Sequence, residues 1–193
     1  MGRPLYDSAG FLEAARLLAS EGGPAAVTVD SVANRLRAPK GSFYHRFVSR
    51  DVLLGQLWLK LVLEFQVGFV AAIQAGDGLA AALHLPRWAR EHLEDARLLS
   101  LYSRHDFVQG GDWPDELKKG VREQSEGLEQ CVARFSREAF GRAGAPQILR
   151  SRFVLLEVPV AAVKGHLTRR EAPPPLVDEL ITRTYRAIVD KCE

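Results

Sequence analysis

The chain has 193 residues, 47% of them hydrophobic, which is enough for one or two packed domains. Its two cysteines, Cys131 and Cys192, lack metal-type spacing and are too few for a disulfide framework, so we expect ordinary thiols in a reducing cytosol. The first ten residues, MGRPLYDSAG, lack the long apolar run that is typical of a secretion signal. The most apolar region is broken by Lys60 and Glu64, and residues 65–76 are shorter than the ~18 residues of a membrane span, so we expect a soluble, cytoplasmic protein.

The net charge of +2 says little by itself, but the charges are unevenly distributed. Residues 1–50 carry seven Lys and Arg against four Asp and Glu, whereas the rest of the chain carries 19 against 20. The basic excess therefore lies in the N-terminal quarter, which is typical of a segment that meets nucleic acid.

Two helices are predicted before residue 38. The first covers Leu5–Ser20 and is ended by glycines and a proline. The second starts at Thr28, a suitable N-cap, and stops near Arg37, because Pro39 disfavours a helical conformation for the residue before it. Asp30, in the first turn of this second helix, faces the positive end of the helix dipole. Four apolar residues at i, i+3, i+4 and i+7 define its buried face: Val29, Val32, Ala33 and Leu36.

A further short helix, from Lys40 to about Phe47, completes a helix-turn-helix pattern. Phe43 and Phe47, four residues apart, share a face that can dock on the helix starting at Thr28. Gly41 would let another surface approach the backbone. The outward residues are Lys40, Ser42, Tyr44, His45 and Arg46. Such a face suits DNA phosphates and the acceptor edges of bases in a major groove, whereas the alternative is a surface hairpin with solvated charges.

The remaining predicted helices follow in order. A long helix begins at Arg50 and runs to about Ala75, roughly 39 Å at 1.5 Å per residue. Its apolar residues spread beyond one face, so it should contact protein on several sides. The others are Leu79–Leu93, which Pro86 kinks or divides, Ala96–Phe107, Pro114–Ala139, Ile148–Leu167 and Leu176–Val189, with a loop at VQGGDWPDE. There is no convincing strand pair and no repeat, so the predicted fold is all-α.

From about Phe11 to Leu54 the chain resembles the DNA-binding region of the TetR family of bacterial transcriptional regulators. The segments that carry the resemblance are FLEAARLLASEGG, TVDSVANRL and GSFYHRF, followed by a basic residue, Arg50. The resemblance implies that Lys40 and Ser42 approach base edges and that Tyr44 and His45 hold phosphates. It makes Thr28 and Arg50 further contacts to the DNA backbone.

Two residues depart from the family pattern. Arg37 stands where the family usually has glycine in the turn, and a left-handed non-glycine residue costs on the order of 1 kcal/mol. Asp30 stands where some relatives present a base-reading or basic side chain. Because a carboxylate repels phosphates, we expect Asp30 to serve the helix and not the DNA.

The resemblance also implies an architecture. Residues 1–49 would form a three-helix DNA-binding domain, joined by the long helix to a helical effector-binding and dimerisation domain within residues 50–193. In the family the last two helices pair with their symmetry mates as a four-helix bundle, and a two-fold axis suits a palindromic operator. The candidate dimer contacts are Phe153, Leu156, Val160, Val163, Leu176, Leu180 and Ile188. The alternative is that both apolar rows are buried within the monomer.

Aromatic and histidine residues of the middle helices are candidates for a pocket that takes a small apolar or aromatic effector. They are Trp58, Phe65, Trp88, His92, Tyr102, His105, Phe107 and Trp113. His84 is a further polar candidate. The alternative is that these residues are core. No cofactor is expected, and no metal site, because His84 and His92 have no third ligand at a familiar spacing.

The resulting hypothesis is a dimeric DNA-binding transcriptional regulator, most often a repressor in the resembling family, that an effector releases from a palindromic operator. One alternative is a ligand-independent helical protein-interaction module. The other is a hydrolase that uses Ser103, His105 and Asp106. Catalysis is disfavoured because neighbouring helical residues point in different directions and no nucleophile elbow accompanies them.

Overall fold

The computed structural model describes residues 6–107 and 113–190, and every regular element within those ranges is helical. The α-helices are α1 (Ser8–Gly22), α2 (Val29–Leu36), α3 (Lys40–Tyr44), α4 (Arg50–Gln74), α5 (Gly78–Glu91), α6 (Leu93–Leu101), α7 (Arg104–Phe107), α8 (Asp115–Phe140), α9 (Ala145–Arg152), α10 (Val158–Thr168) and α11 (Pro175–Val189). A 3-10 turn, Pro24–Ala26, precedes α2, and a π-helical turn, Phe153–Glu157, joins α9 to α10. The predicted all-α class is confirmed. Cys192 and the first five residues of the predicted VQGGDWPDE loop lie outside the described residues.

The chain divides into two compact units. One comprises residues through Val62 together with Tyr102–Val121, and the other comprises Leu63–Leu101 and the chain from Arg122 onward. These units differ from the predicted division at residue 50. The reason is that residues after Tyr102 pack on the start of α4: a Cβ at Gly55 would lie 2.8 Å from the Trp113 ring.

Three phenylalanine rings form the centre of the first unit. Phe11 of α1 contacts Phe43 and Phe47 edge to face, with ring centroids 5.8 and 6.0 Å apart. All three side chains are buried almost completely. Burial of a phenylalanine contributes roughly 1.5–3 kcal/mol, so these rings fix α3 on α1 and leave its remaining residues to face outward.

The second unit packs α5, α6, α10 and α11 around a core that includes Phe69, Ala82 and Ile181. A polar clamp supports it. The Arg90 guanidinium of α5 binds Asp178 of α11 and donates to the Pro173 carbonyl oxygen at 2.9 Å. The bond to Asp178 raises the pKa of Arg90.

Two helices that were predicted to be continuous are interrupted in the structure. The helix predicted over Ala96–Phe107 ends at Leu101, and a new helical turn, α7, follows Ser103. The helix predicted over Ile148–Leu167 contains the π-helical turn, which ends two residues before Pro159. Proline lacks an N–H and its ring clashes with the carbonyl four residues earlier, so a wider turn accommodates it. Pro86, in contrast, lies within the continuous helix α5.

Candidate nucleic-acid interface

The start of α2 is fixed by a reciprocal capping box. Thr28 Oγ1 accepts a hydrogen bond from the Ser31 N–H at 3.0 Å, and Ser31 Oγ accepts one from the Thr28 N–H at 2.8 Å. This arrangement satisfies two backbone donors that the helix itself cannot pair. The N-cap role of Thr28 is therefore confirmed, and its additional contact to a DNA phosphate stays a prediction.

The turn between α2 and α3 forms with arginine in the position of the usual glycine. Arg37 has φ 53° and ψ 36°, a left-handed conformation. Its carbonyl oxygen accepts a hydrogen bond from the Tyr6 hydroxyl at 3.0 Å. The Arg46 guanidinium donates to the Tyr6 carbonyl oxygen at 3.2 Å, so Tyr6 links the turn to the residues just after α3. Sequence patterns gave no signal for this link, because the partners lie 31 and 40 residues apart.

Arg46 and Arg50 were both assigned to DNA, but the structure gives each a role within the protein. Arg46 donates to the Tyr6 carbonyl oxygen. Arg50 donates to the carbonyl oxygens of Val27 and Pro24 and pairs with Asp51. Its guanidinium thus holds the 3-10 turn that leads into α2. The assignment of Arg50 to the DNA backbone stays a prediction, and the structure adds that all three of its guanidinium nitrogens bind oxygens within the protein.

The outward face of α3 is polar and accessible. Tyr44 is 60% exposed, His45 is exposed and Ser42 is half-buried. A Cβ at Gly41 would meet nothing within 4 Å, so a partner surface can approach this part of the backbone closely. Phe43 and Phe47 face the core, as predicted.

Lys40 also lies on this face, but it is not isolated. Its Nζ lies 2.7 Å from Asp30 Oδ1, and the hydrogen bond to Asp30 raises the pKa of Lys40. Both side chains remain well exposed. The expectation that Asp30 serves only its own helix is therefore incomplete. Ten residues of sequence separate the pair, and only the folded hairpin brings them together.

The effector candidates fall into two groups, one in each compact unit. Trp58, Tyr102, His105, Phe107 and Trp113 belong to the first unit, and Phe65, Trp88 and His92 to the second. Within the second group the ring centroids of Phe65 and Trp88 are 5.4 Å apart, and those of Trp88 and His92 are 5.2 Å apart with the rings tilted. Phe107 is fully buried and belongs to the core, whereas His105 is exposed.

His84 joins the aromatic group of the second unit. Its Nε2 lies 2.7 Å from the Phe65 carbonyl oxygen, and burial lowers its pKa. Within the described residues no group of three or more His, Cys, Asp or Glu is arranged to hold a metal ion.

The predicted dimer contacts differ widely in exposure. Phe153, Val160, Leu176 and Leu180 expose 36–58% of their surface. Leu156 and Ile188 are partly buried against the core of their own unit. Val163 is completely buried there, so it cannot contact a partner and its assignment was wrong. The helical row shifts at the π-helical turn, which rotates the residues after it relative to a regular helix.

The hydrolase alternative has a different geometry from a catalytic triad. Ser103 Oγ donates to Asp106 Oδ2 at 2.7 Å, and the Ser103 N–H donates to the same oxygen at 2.6 Å. These bonds lower the pKa of Asp106 and cap α7. His105 is not interposed between them.

One described helix, α4, is long and apolar enough to cross a membrane by length and composition, with a mean hydropathy of 1.4 over its best window. A single such helix is weak evidence, because core helices of soluble proteins pass the same test. Leu53, Leu57 and Leu61 of this helix are buried within the protein.

Comparison with known proteins gives two findings. Residues 11–57 match the family described as bacterial regulatory proteins, tetR family. A crystal structure from Shewanella sp. PV-4, assigned to the tetR family of transcription regulators, is similar with a TM-score of 0.67 and 18% sequence identity, covering 97% of each chain. At this identity the likeness establishes the shared fold alone. A search of curated proteins finds no match.

Proposed function

We propose that this chain, whose residues 11–57 carry the DNA-binding helix-turn-helix domain of the tetR family of bacterial regulatory proteins, is a dimeric transcriptional repressor in the cytoplasm. It binds a palindromic operator and leaves it when a small apolar or aromatic effector binds. The observation that carries the DNA-binding part is the outward face of α3. Its Tyr44 and Lys40 side chains are exposed, while Phe43 of α3 and the following Phe47 are buried against Phe11.

In this mechanism each part of α3 has a distinct task. Tyr44 and His45 contact phosphates, which supplies affinity without sequence information. Lys40 and Ser42 contact base edges, which supplies discrimination, and the bare backbone at Gly41 permits the approach. Thr28 adds a phosphate contact at the start of α2, close to the positive end of that helix.

The dimer is proposed from the exposed apolar residues of the last helices. Large apolar side chains that remain accessible in one chain, such as Phe153 and Leu180, favour burial against a second copy. A two-fold axis would present two hairpins to successive major grooves about 34 Å apart. Since the basic excess of one N-terminal segment is modest, two segments acting together are needed for tight binding.

The effector site is proposed from one buried polar group. The indole N–H of Trp113 is buried and finds no acceptor among the described residues. A bound small molecule with a carbonyl or hydroxyl group would supply one. Operator release then requires that the effector binds more tightly to the conformation that does not fit DNA than to the one that fits.

Footprinting on the DNA that flanks the coding region of this protein tests the proposal. The expected result is one protected inverted repeat, with an affinity that falls steeply with salt, by a log slope of about −0.9 per phosphate contacted. A dimer that protects no DNA at low salt would contradict the repressor and favour the helical protein-interaction module.

A further inference from the structure

The ion pair between Asp30 and Lys40 is an unusual feature of the face that is to meet DNA. Asp30 lies in the first turn of α2 and Lys40 is the first residue of α3. The two side chains expose 61% and 64% of their surface, so water screens the pair and it contributes little to stability. A carboxylate in the first turn of α2 suits the helix dipole, but that role requires no contact with Lys40.

The negative charge of Asp30 also opposes binding to DNA. Asp30 neutralises the charge of Lys40 and repels phosphate oxygens, so the pair weakens sequence-independent binding. Such a pair can contribute to recognition only if its atoms match one base pair better than the others. The relevant property of the pair is therefore its pattern of hydrogen-bond donors and acceptors.

The pattern is two donors beside one acceptor. The ammonium of Lys40 has three N–H groups, of which one points to Asp30 and two remain. The carboxylate of Asp30 accepts from Lys40 through Oδ1 and has further lone pairs. Donor and acceptor atoms lie 2.7 Å apart, close to the roughly 3 Å between hydrogen-bonded groups on the edge of a base pair.

Only one base pair matches that pattern fully in the major groove. A G·C pair presents two neighbouring acceptors, guanine N7 and O6, followed by a donor, cytosine N4. An A·T pair presents its donor between two acceptors and adds the thymine methyl group, so the same side chains leave one acceptor unpaired. The difference favours G·C.

We propose that Asp30 and Lys40 act as one unit that reads a G·C base pair, with Lys40 donating to guanine N7 and O6 and Asp30 accepting from cytosine N4. This inference rests on the proposed function and specifies the base pair that the hairpin selects. An exposed lysine is protonated at neutral pH and keeps all its donors, and the bond to Asp30 raises the pKa of Lys40 further. Asp30 is thus a specificity residue and not only a helix-dipole partner.

Selection of binding sites from a randomised pool of DNA duplexes tests the inference with the full chain. The wild type is expected to select G·C at one position of each half-site. Lys40→Ala is expected to lose the preference at that position, Asp30→Ala to weaken it at the same position, and both to keep the other preferences. In titrations, exchange of that G·C for A·T should weaken the wild type about 10- to 100-fold and Lys40→Ala about threefold or less, with Asp30→Ala between the two because it keeps the lysine donors and loses the acceptor for cytosine N4.

Glu21→Gln is the matched control. It removes one carboxylate from the same unit, where Glu21 pairs with Arg35 at 2.7 Å, and therefore makes the same change of charge. Its base preferences should equal those of the wild type. Asp30→Asn keeps the size of the side chain and serves if Asp30→Ala unfolds, which circular dichroism would detect.

If the wild type selects a motif, either of two results would overturn the inference alone. Asp30→Ala could bind every sequence more tightly with the G·C preference intact, or the two alanine variants could relax different positions. A wild type that selects no motif at all would overturn the proposed function itself and the inference with it.

Discussion

At the scale of single residues, the α2–α3 hairpin separates side chains used by the protein from those offered to a partner. Arg46 and Arg50 donate to backbone oxygens, whereas Tyr44 projects 60% of its surface to solvent. Tyr44 rests edge to face against Phe43 at 5.4 Å, which limits its motion. An aromatic ring held in this way positions its hydroxyl at little entropic cost.

Tyr44→Phe should weaken binding to every DNA sequence by a similar factor, because only a phosphate contact is lost. The ring and its packing on Phe43 are retained, so stability should change little. Fluorescence anisotropy with an operator duplex and a random duplex measures both affinities. A loss confined to the operator would contradict the assignment of Tyr44 to the phosphate backbone.

Arg37→Gly should stabilise the protein. Arg37 holds a left-handed conformation that costs a residue with a Cβ on the order of 1 kcal/mol, and glycine adopts it without strain. The Tyr6 bond goes to the backbone and survives the change. Urea unfolding should show a gain of about 1 kcal/mol. Arg35→Gly, within α2, is the contrasting variant and should lose about as much.

At the scale of elements, two helices pack closely where one of them carries a glycine. α4 and α5 meet where a Cβ at Gly68 would lie 2.3 Å from His84 Cε1. The imidazole fills this space and bonds to the Phe65 carbonyl oxygen at 2.7 Å. Burial is the largest cause of its lowered pKa, with a smaller contribution in the same direction from Arg87, while the Phe65 bond and Glu91 act in the opposite direction.

This contact predicts a loss of stability in mild acid. His84 in the unfolded chain binds a proton near its ordinary pKa of about 6.5, whereas the folded protein binds it only at lower pH. The unfolded state therefore holds more protons below about pH 6.5, and the free energy of unfolding falls as pH falls until the folded pKa is passed. Urea unfolding between pH 7.5 and about pH 5 should show a shallower decline for His84→Gln. Equal slopes for the two proteins would contradict this role of His84.

At the scale of the whole molecule, the described chain carries accessible apolar side chains on α9, in the π-helical turn and on α11. Leu149, Phe153, Leu176 and Leu180 expose 42–64% of their surface. Their neighbours Val163 and Ile181 are fully buried, so the helices present one face to their own core and another to solvent. Such exposed leucines favour association between copies.

Leu180→Glu should disrupt the proposed dimer, because a carboxylate would be buried in an apolar interface. Sedimentation velocity is expected to show a monomer, and affinity for a two-half-site operator should fall far more than affinity for one half-site. Val67→Glu is the matched control, since Val67 is 73% exposed on α4. A Leu180→Glu protein that stays dimeric would place the interface elsewhere.

The sequence by itself determined the helical class, the approximate helix boundaries and the helix-turn-helix. These features depend on signals within one or two helical turns, such as the Thr28 cap, the apolar period of α2 and Pro39. Local periodicity and capping act over a few residues, and they can be read without knowing the fold.

Only the tertiary structure decided which polar side chains are bonded within the protein and which are exposed to a partner. Arg46 and Arg50 are held by carbonyl oxygens, Val163 lies in the core, and Asp30 meets Lys40 across the hairpin. Each of these facts joins residues that are distant along the chain or depends on how a helix rotates in its packing. Side chains of the same type are equivalent in sequence, and only packing assigns each one its partner.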